Sequence, residues 1–217
     1  MGTEKNAEQR SSDEMERQER ERWEREEREL ERRELDEEWE AERSRAGAWE
    51  SAKAAILAGK AEIRDSWSSY GKCTGLEPSG GDFTVSLKKR SCRLRLTAWA
   101  WTKPLWDKTV PLSEEEVERL RTTCAAIVLP QRKRKPRGLA QCCDGGTWGR
   151  TVRLGTKTLF SRHTDTLRCP CGDEQWVAEK KAEEEALEPL GKILREFQDR
   201  CEPPEGELNK IAEKRME

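Results

Sequence analysis

Residues 83–101, FTVSLKKRSCRLRLTAWAW, carry the clearest periodic pattern in the sequence. Apolar and polar residues alternate on both sides of the segment 88–91, and alternating side chains lie on opposite faces of a β-strand. The pattern therefore predicts a β-hairpin with a basic turn at 88–91. One face of this hairpin is apolar, and the other carries Arg93, Arg95, Trp99 and Trp101.

Helical patterns lie on both sides of the hairpin. Residues 13–45 are rich in Glu and Arg and contain no Gly or Pro, which favours a charged helix. Ser113 and Glu116 have the spacing of a capping box at the start of a second helix, and residues 177–201 carry an apolar stripe. We therefore predict a mainly α fold with a small central β-hairpin module. This α+β chain would be partly disordered, with a charged N-terminal helix and an amphipathic C-terminal helix.

The same patterns divide the chain into four regions. Residues 1–12 are expected to be a disordered tail, and residues 13–70 a charged and amphipathic helical region. A heptad step from Trp23 to Leu30 indicates self-association as a weak coiled coil, with a solvated charged helix as the alternative. Residues 82–178 form a basic central module rich in Cys and Trp, which includes a basic run at 131–137. Residues 179–217 form an acidic C-terminal helix and tail.

Charge is distributed unevenly along the 217 residues, of which 40% are charged and 33% hydrophobic, with a net charge of −2. Residues 86–168 carry 19 basic and 7 acidic residues, a net charge of +12. Residues 1–45 have a net charge of −7, and residues 173–217 have a net charge of −6. A basic centre between acidic ends indicates a polyanionic partner, nucleic acid above all.

The low apolar content limits the remaining classes of protein. No stretch approaches the ~20 apolar residues that a membrane span needs. The residues after Met1 also lack the apolar segment that a secretory signal would contain. His163 is the only histidine, and the sequence has no phosphate-binding loop or metalloprotease motif. We therefore predict that the chain is not an enzyme and has no membrane partner.

Two basic clusters are the candidate nucleic-acid contacts. The first is a run of five bases, which can bind phosphates in a salt-sensitive way or act as a nuclear-import signal; a solvated linker is the alternative. Its members are Arg132, Lys133, Arg134, Lys135 and Arg137. The second cluster lies near Trp99 and Trp101, which could add base stacking or could be core residues. Its members are Lys88, Lys89, Arg90, Arg93 and Arg95.

The eight cysteines are expected to be thiols, because the chain shows no sign of secretion. Five residues of the central module could supply zinc ligands, although their spacing is not that of two C-x-x-C hooks. They are Cys142, Cys143, His163, Cys169 and Cys171. Free or core thiols are the alternative, so a zinc site remains one of two interpretations.

The C-terminal stripe has two interpretations as well. Leu187, Leu190, Ile193 and Leu194 have the spacing of a leucine-rich export signal and also that of an ordinary packing face. With the helices of 13–67 and the basic run, this stripe makes the sequence resemble lentiviral Rev-type regulators. The segment 48–67 is also similar to the start of bovine lentivirus Rev/Env reading frames.

The resemblance implies a viral regulatory protein rather than a catalyst. Such a protein would bind structured RNA as a homo-oligomer and engage nuclear import and export receptors. It would move viral transcripts between the nucleus, with its nucleolus, and the cytoplasm of a host cell. The alternatives are a zinc-stabilised protein-interaction adaptor and a viral accessory antagonist of a host factor.

Overall fold

The computed structural model falls into two compact units, Met1–Ala41 and Glu42–Glu217. The boundary between them lies within one long helix, α1 (Gly2–Leu57). The residues that the structure describes are 2–69, 78–98, 103–131, 140–141, 146–165, 168–169 and 174–216. Among these described residues, no helix is both long enough and apolar enough to cross a membrane.

The first unit is the charged part of α1. Ion pairs one turn apart support it, including Arg22–Glu26 at 2.9 Å and Arg28–Glu24 at 3.5 Å, and each such pair adds a few tenths of a kcal/mol to a helix. Trp23 is exposed on this helix. Because α1 begins at Gly2, residues 2–12 of the expected disordered tail belong to this helix in the structure.

The second unit is built on a six-stranded sheet with the strand order β4-β3-β2-β1-β6-β7. Every neighbouring pair is antiparallel, and β5 and β8 form a separate two-stranded ribbon. The strands are β1 (Glu62–Ser69), β2 (Gly80–Ser86), β3 (Ser91–Thr97), β4 (Trp106–Pro111), β5 (Ala140–Gln141), β6 (Gly146–Leu154), β7 (Lys157–Asp165) and β8 (Arg168–Cys169). The remaining helices are α2 (Glu114–Ala126), α3 (Glu174–Asp199) and α4 (Glu207–Met216).

The predicted fold class, mainly α with a small β-hairpin, was wrong. The hairpin is present as β2 and β3, but it supplies only two strands of a six-stranded sheet, so the fold is a sheet-centred α+β structure. β1 was missed inside the expected helical region 13–70, because Asp65 occupies the middle of its buried face. Arg150 occupies the corresponding place in β6, directly opposite Asp65. The charge of Asp65 in the middle of β1 breaks the apolar alternation by which that strand could have been recognised.

The core lies on one face of the sheet, here called the helix face. Among the described residues of the six strands, every buried apolar side chain lies on this face: Ile63, Phe83, Val85, Cys92, Leu94, Leu96, Val152 and Phe160. Trp49 of α1 is fully buried, with its ring edge-on to Phe160 at 5.2 Å. Its indole Nε1 donates to the carbonyl of Ile127 at 3.3 Å. Burial of large side chains like these supplies most of the stability of such a unit.

The capping box predicted for α2 is confirmed. Ser113 is the N-cap, and its Oγ accepts from the backbone N–H of Glu116 at 3.1 Å. The Glu116 carboxylate in turn accepts from the backbone N–H of Ser113 at 2.7 Å. This reciprocal pair satisfies two of the N–H groups that a helix start leaves without partners.

Candidate nucleic-acid interface

The second face of the sheet, here called the open face, is a grid of polar side chains. The strand register aligns one row as Thr109, Arg93, Thr84, Arg64, Thr151 and Ser161. The next row is Asp107, Arg95, Asp82, Ser66, Gly149 and His163. The described helices of the second unit contribute their apolar residues to the core on the helix face, so within this unit they pack on the side opposite to these rows.

Four arginines from three strands lie on the open face. Arg93 and Arg95 belong to β3, Arg64 to β1 and Arg153 to β6. β3 and β6 are three strands apart in the sheet order, which corresponds to about 14 Å at ~4.8 Å per strand. An array of this width can contact more than one phosphate of a nucleic-acid strand.

Both tight hairpin turns of the sheet lie at one end of the open face. Lys88 and Lys89 occupy the β2–β3 turn, and Lys157 follows the β6–β7 turn. All three lysines are exposed. Arg153 belongs to the last row before these turns, beside Glu62. We call Lys88, Lys89, Arg153 and Lys157 the basic end.

Carboxylates hold two of the four open-face arginines, Arg93 and Arg64, in place. Arg93 donates to both oxygens of Asp107, at 2.7 and 2.5 Å, and this pairing holds the pKa of the Asp107 carboxyl below its ordinary value. Arg64 lies 3.4 Å from the Asp82 carboxylate. A guanidinium carries five N–H donors in a planar fork. Each arginine therefore keeps donors for a second anion while its side chain is oriented by the first.

Those same carboxylates reduce the positive charge at the centre of the grid. Asp82, Asp107 and Glu62 share the open face with the four arginines. The basic end therefore carries the excess of positive charge, whereas the centre of the face is nearly balanced. A phosphate backbone would be attracted first to the basic end.

His163 is exposed on β7, at the far side of the grid. Its Nε2 lies 2.7 Å from the hydroxyl of Ser161, two residues earlier on the same strand. The imidazole ring lies against Gly149, where a Cβ would clash with it. The hydrogen bond and the glycine together fix the orientation of this ring. Among the described side chains of the two rows, it is the only aromatic one.

The second predicted basic cluster, Lys88 to Arg95, lies in the turn and on the polar face of the predicted hairpin. Arg93 and Arg95 lie on the open face, opposite the buried Cys92, Leu94 and Leu96. Lys88, Lys89 and Arg90 lie in the exposed turn, where Arg90 adopts a φ of 48°. Trp99 and Trp101 lie outside the described residues. So do the five bases of the predicted run, Arg132, Lys133, Arg134, Lys135 and Arg137.

The zinc site stays a prediction. Of its expected ligands, Cys142, Cys143 and Cys171 lie outside the described residues. The backbone of Cys169 is in β8, where it pairs with Ala140 of β5, the strand that ends just before Cys142. Within the described part of the chain, no three residues of the His, Cys, Asp or Glu types are placed to hold a metal ion.

The leucine stripe of α3 faces the core. Leu187, Leu190, Ile193 and Leu194 are all buried there, together with Phe197. These residues therefore form an ordinary packing face, which was the second interpretation of the stripe. A receptor that binds an amphipathic helix in a groove needs its apolar residues exposed.

Sequence reasoning missed Arg64, because it did not recognise β1, and it did not single out Arg153 of β6. It also missed a buried ionic cluster on the helix face. Arg150 donates to both oxygens of Asp65 at 2.7 and 2.6 Å, and the carboxylate of the buried Glu183 lies 3.1 Å from Arg162. The signal that could have found β1 is the alternation of Arg64, Ser66 and Ser68 with Ile63 and Trp67.

Comparison with known proteins gives no relative from which a function could be taken. No protein-family model and no curated protein matches the chain. The resemblance to Rev-type regulators stays a prediction. The function must therefore be argued from the geometry of the open face and the basic end.

Proposed function

We propose that the chain is a non-enzymatic protein that binds structured RNA across the basic end and the open face of its sheet. One observation carries the proposal: both tight hairpin turns place lysines at the same end of a sheet face that also presents four arginines. Within the second unit, the described helices contribute their apolar residues to the core on the opposite face of the sheet. Cations spread over such a surface can contact several phosphates at once.

The side chains favour contact with the backbone over base stacking. The two central rows offer hydroxyls and guanidinium groups, with His163 as their single aromatic ring among the described side chains. Structured RNA is recognised mostly through its shape, phosphates and 2′-hydroxyls. Arg, Ser and Thr side chains are suited to those groups.

The basic run at 132–137 adds to this proposal from the sequence. It follows α2 along the chain and carries five of the bases in the +12 segment. We include it as a second, salt-sensitive contact to the same RNA. Nuclear export is left out of the proposal, because Leu187, Leu190 and Leu194 lie in the core.

The test compares two triple variants of the full chain. The first, Lys88→Ala with Lys89→Ala and Arg153→Ala, removes three cations from the basic end. The matched control removes three exposed lysines from helices α3 and α4: Lys181, Lys192 and Lys210. Fluorescence anisotropy with a labelled 20-base-pair hairpin RNA measures the affinity at fixed salt.

The two variants should separate clearly. We expect the basic-end variant to lose at least about 10-fold in affinity, because three phosphate contacts disappear, and the control to stay within about 2-fold. Equal losses would show that only net charge matters. Unchanged affinity in the basic-end variant would exclude this surface as the RNA site. Both variants keep the core intact, so far-ultraviolet circular dichroism should show wild-type folding.

A further inference from the structure

Two buried thiols lie side by side on the helix face. Cys92 of β3 and Cys201, just after α3, have their Sγ atoms 3.5 Å apart, although 109 positions separate them in sequence. Neither residue is exposed. A disulfide needs its sulfurs at ~2.05 Å, so a movement of about 1.5 Å would bond them.

The surroundings keep this pair reduced while the structure is closed. Burial raises the pKa of the Cys92 thiol to about 12. Its sulfur lies 3.7 Å from the carbonyl oxygen of Val110 and 3.8 Å from that of Phe197, and either oxygen can accept a hydrogen bond from the thiol. The nucleophile in thiol chemistry is the thiolate. The pair therefore reacts only when this part of the structure opens.

The opening needed is local. Cys201 lies where the chain leaves α3, and side chains of the edge strand β4 hold it there: Trp106 donates to the carbonyl of Cys201 at 2.7 Å and Lys108 to that of Arg200 at 3.0 Å. Arg200 donates in return to the carbonyl of Pro111 at 2.9 Å. These three bonds can break without separating any pair of strands. Openings of this size occur well below the free energy of global unfolding.

We propose that Cys92 and Cys201 are a redox modification site, which a two-electron oxidant of the peroxide class converts into an internal disulfide. One thiol loses its proton to solvent, attacks the peroxide O–O bond and becomes a sulfenic acid, while the second peroxide oxygen leaves as water. The other sulfur then displaces the hydroxyl group, which leaves as a second water. Two electrons pass from the two sulfurs to the peroxide, and one S–S bond forms.

The disulfide would fasten the end of α3 to β3, the second strand from the β4 edge of the sheet. It would close a loop between residues 92 and 201, and cross-links over long loops constrain the unfolded chain most. Cys92 points toward the helix face, away from Arg93 on the open face. The proposal therefore does not depend on the RNA-binding function, and the oxidised protein should keep the same open face.

The experiment treats the folded full chain with hydrogen peroxide. Remaining thiols are then blocked with N-ethylmaleimide in denaturant, and peptides are mapped without reduction. We expect one cross-linked peptide that joins Cys92 to Cys201, lighter by two hydrogens and separated by dithiothreitol. The oxidised protein should also unfold at a higher urea concentration than the reduced one.

Cys124 supplies the matched control. It is also buried, burial raises the pKa of its thiol to about 12 as well, and no second thiol is recorded beside it in the described part of the chain. Cys124→Ser should leave the cross-link unchanged, whereas Cys201→Ser should abolish it. The proposal is overturned if Cys92 and Cys201 of the peroxide-treated protein are both still free thiols that N-ethylmaleimide alkylates. It is equally overturned if Cys92 is found joined to any other cysteine.

Discussion

Two Arg–Asp pairs on opposite faces of the same sheet allow the effect of burial to be measured within one protein. Arg150 and Asp65 share two hydrogen bonds on the helix face, and their side chains are 6% and 10% exposed. Arg93 and Asp107 share two on the open face, and their side chains are 52% and 34% exposed. We predict that Asp65→Asn destabilises the protein far more than Asp107→Asn.

The magnitudes follow from what each substitution leaves behind. Asp65→Asn removes the counter-charge of the buried Arg150 guanidinium and leaves beside it a neutral amide and the Trp148 ring, 5.1 Å away. Removing one partner of a buried pair costs about 3–5 kcal/mol, whereas an exposed pair is worth about 0–1 kcal/mol. With a urea dependence of about 2 kcal/mol per M, the urea midpoint should fall by about 2 M for Asp65→Asn. The corresponding fall for Asp107→Asn should be less than about 0.5 M.

Urea unfolding followed by tryptophan fluorescence and circular dichroism provides the assay. A double variant, Asp65→Leu with Arg150→Met, removes both charges and should recover most of the stability that Asp65→Asn loses. If Asp65→Asn is too unstable to study, the urea midpoint of the double variant can still be compared with that of the wild type. Similar midpoints for Asp65→Asn and Asp107→Asn would refute the reasoning. A double variant as unstable as the single one would refute it too.

Four further outcomes can be measured in the same assay. Trp49→Ala removes a fully buried ring and should cost about 3–5 kcal/mol. Ser113→Ala removes the capping box and should cost about 1 kcal/mol. Gly81→Ala places a Cβ 2.7 Å from a backbone oxygen of β3 and should cost about 1–3 kcal/mol. Because the pKa of Asp107 is lowered when folded, its pairing should stabilise fully above pH ~4 and lose effect as pH falls further; Asp107→Asn should lack this acid-sensitive part.

The β2–β3 hairpin and the cap of α2 could be predicted because their signals are local. Alternation across 83–97 places its residues on two faces without knowledge of any neighbour. β1 could not be found in this way, because Asp65 is acceptable on a buried face only in the presence of Arg150. They lie 85 positions apart. Nothing local to either strand shows that the other will neutralise it.

The candidate site could likewise be predicted only where its signal is local. The alternation placed Arg93 and Arg95 on the polar face, but Arg64 and Arg153 join them only through the order of the strands. That order also brings the lysines of two distant turns to one end of the sheet. The stripe of α3 shows a further limit: helical spacing identifies an apolar face, and only the fold shows whether it packs inside or meets a partner.

The salt dependence of RNA binding tests the central claim most directly. Affinity for the hairpin RNA is measured across a range of salt concentrations for the wild type and for the variant lacking Lys88, Lys89 and Arg153. Each lost phosphate contact should reduce the slope of log affinity against log salt by up to about 0.9. The account predicts a slope shallower by about 2 to 3 for this variant, with no change for the helix-lysine control. An unchanged slope in the variant would contradict it.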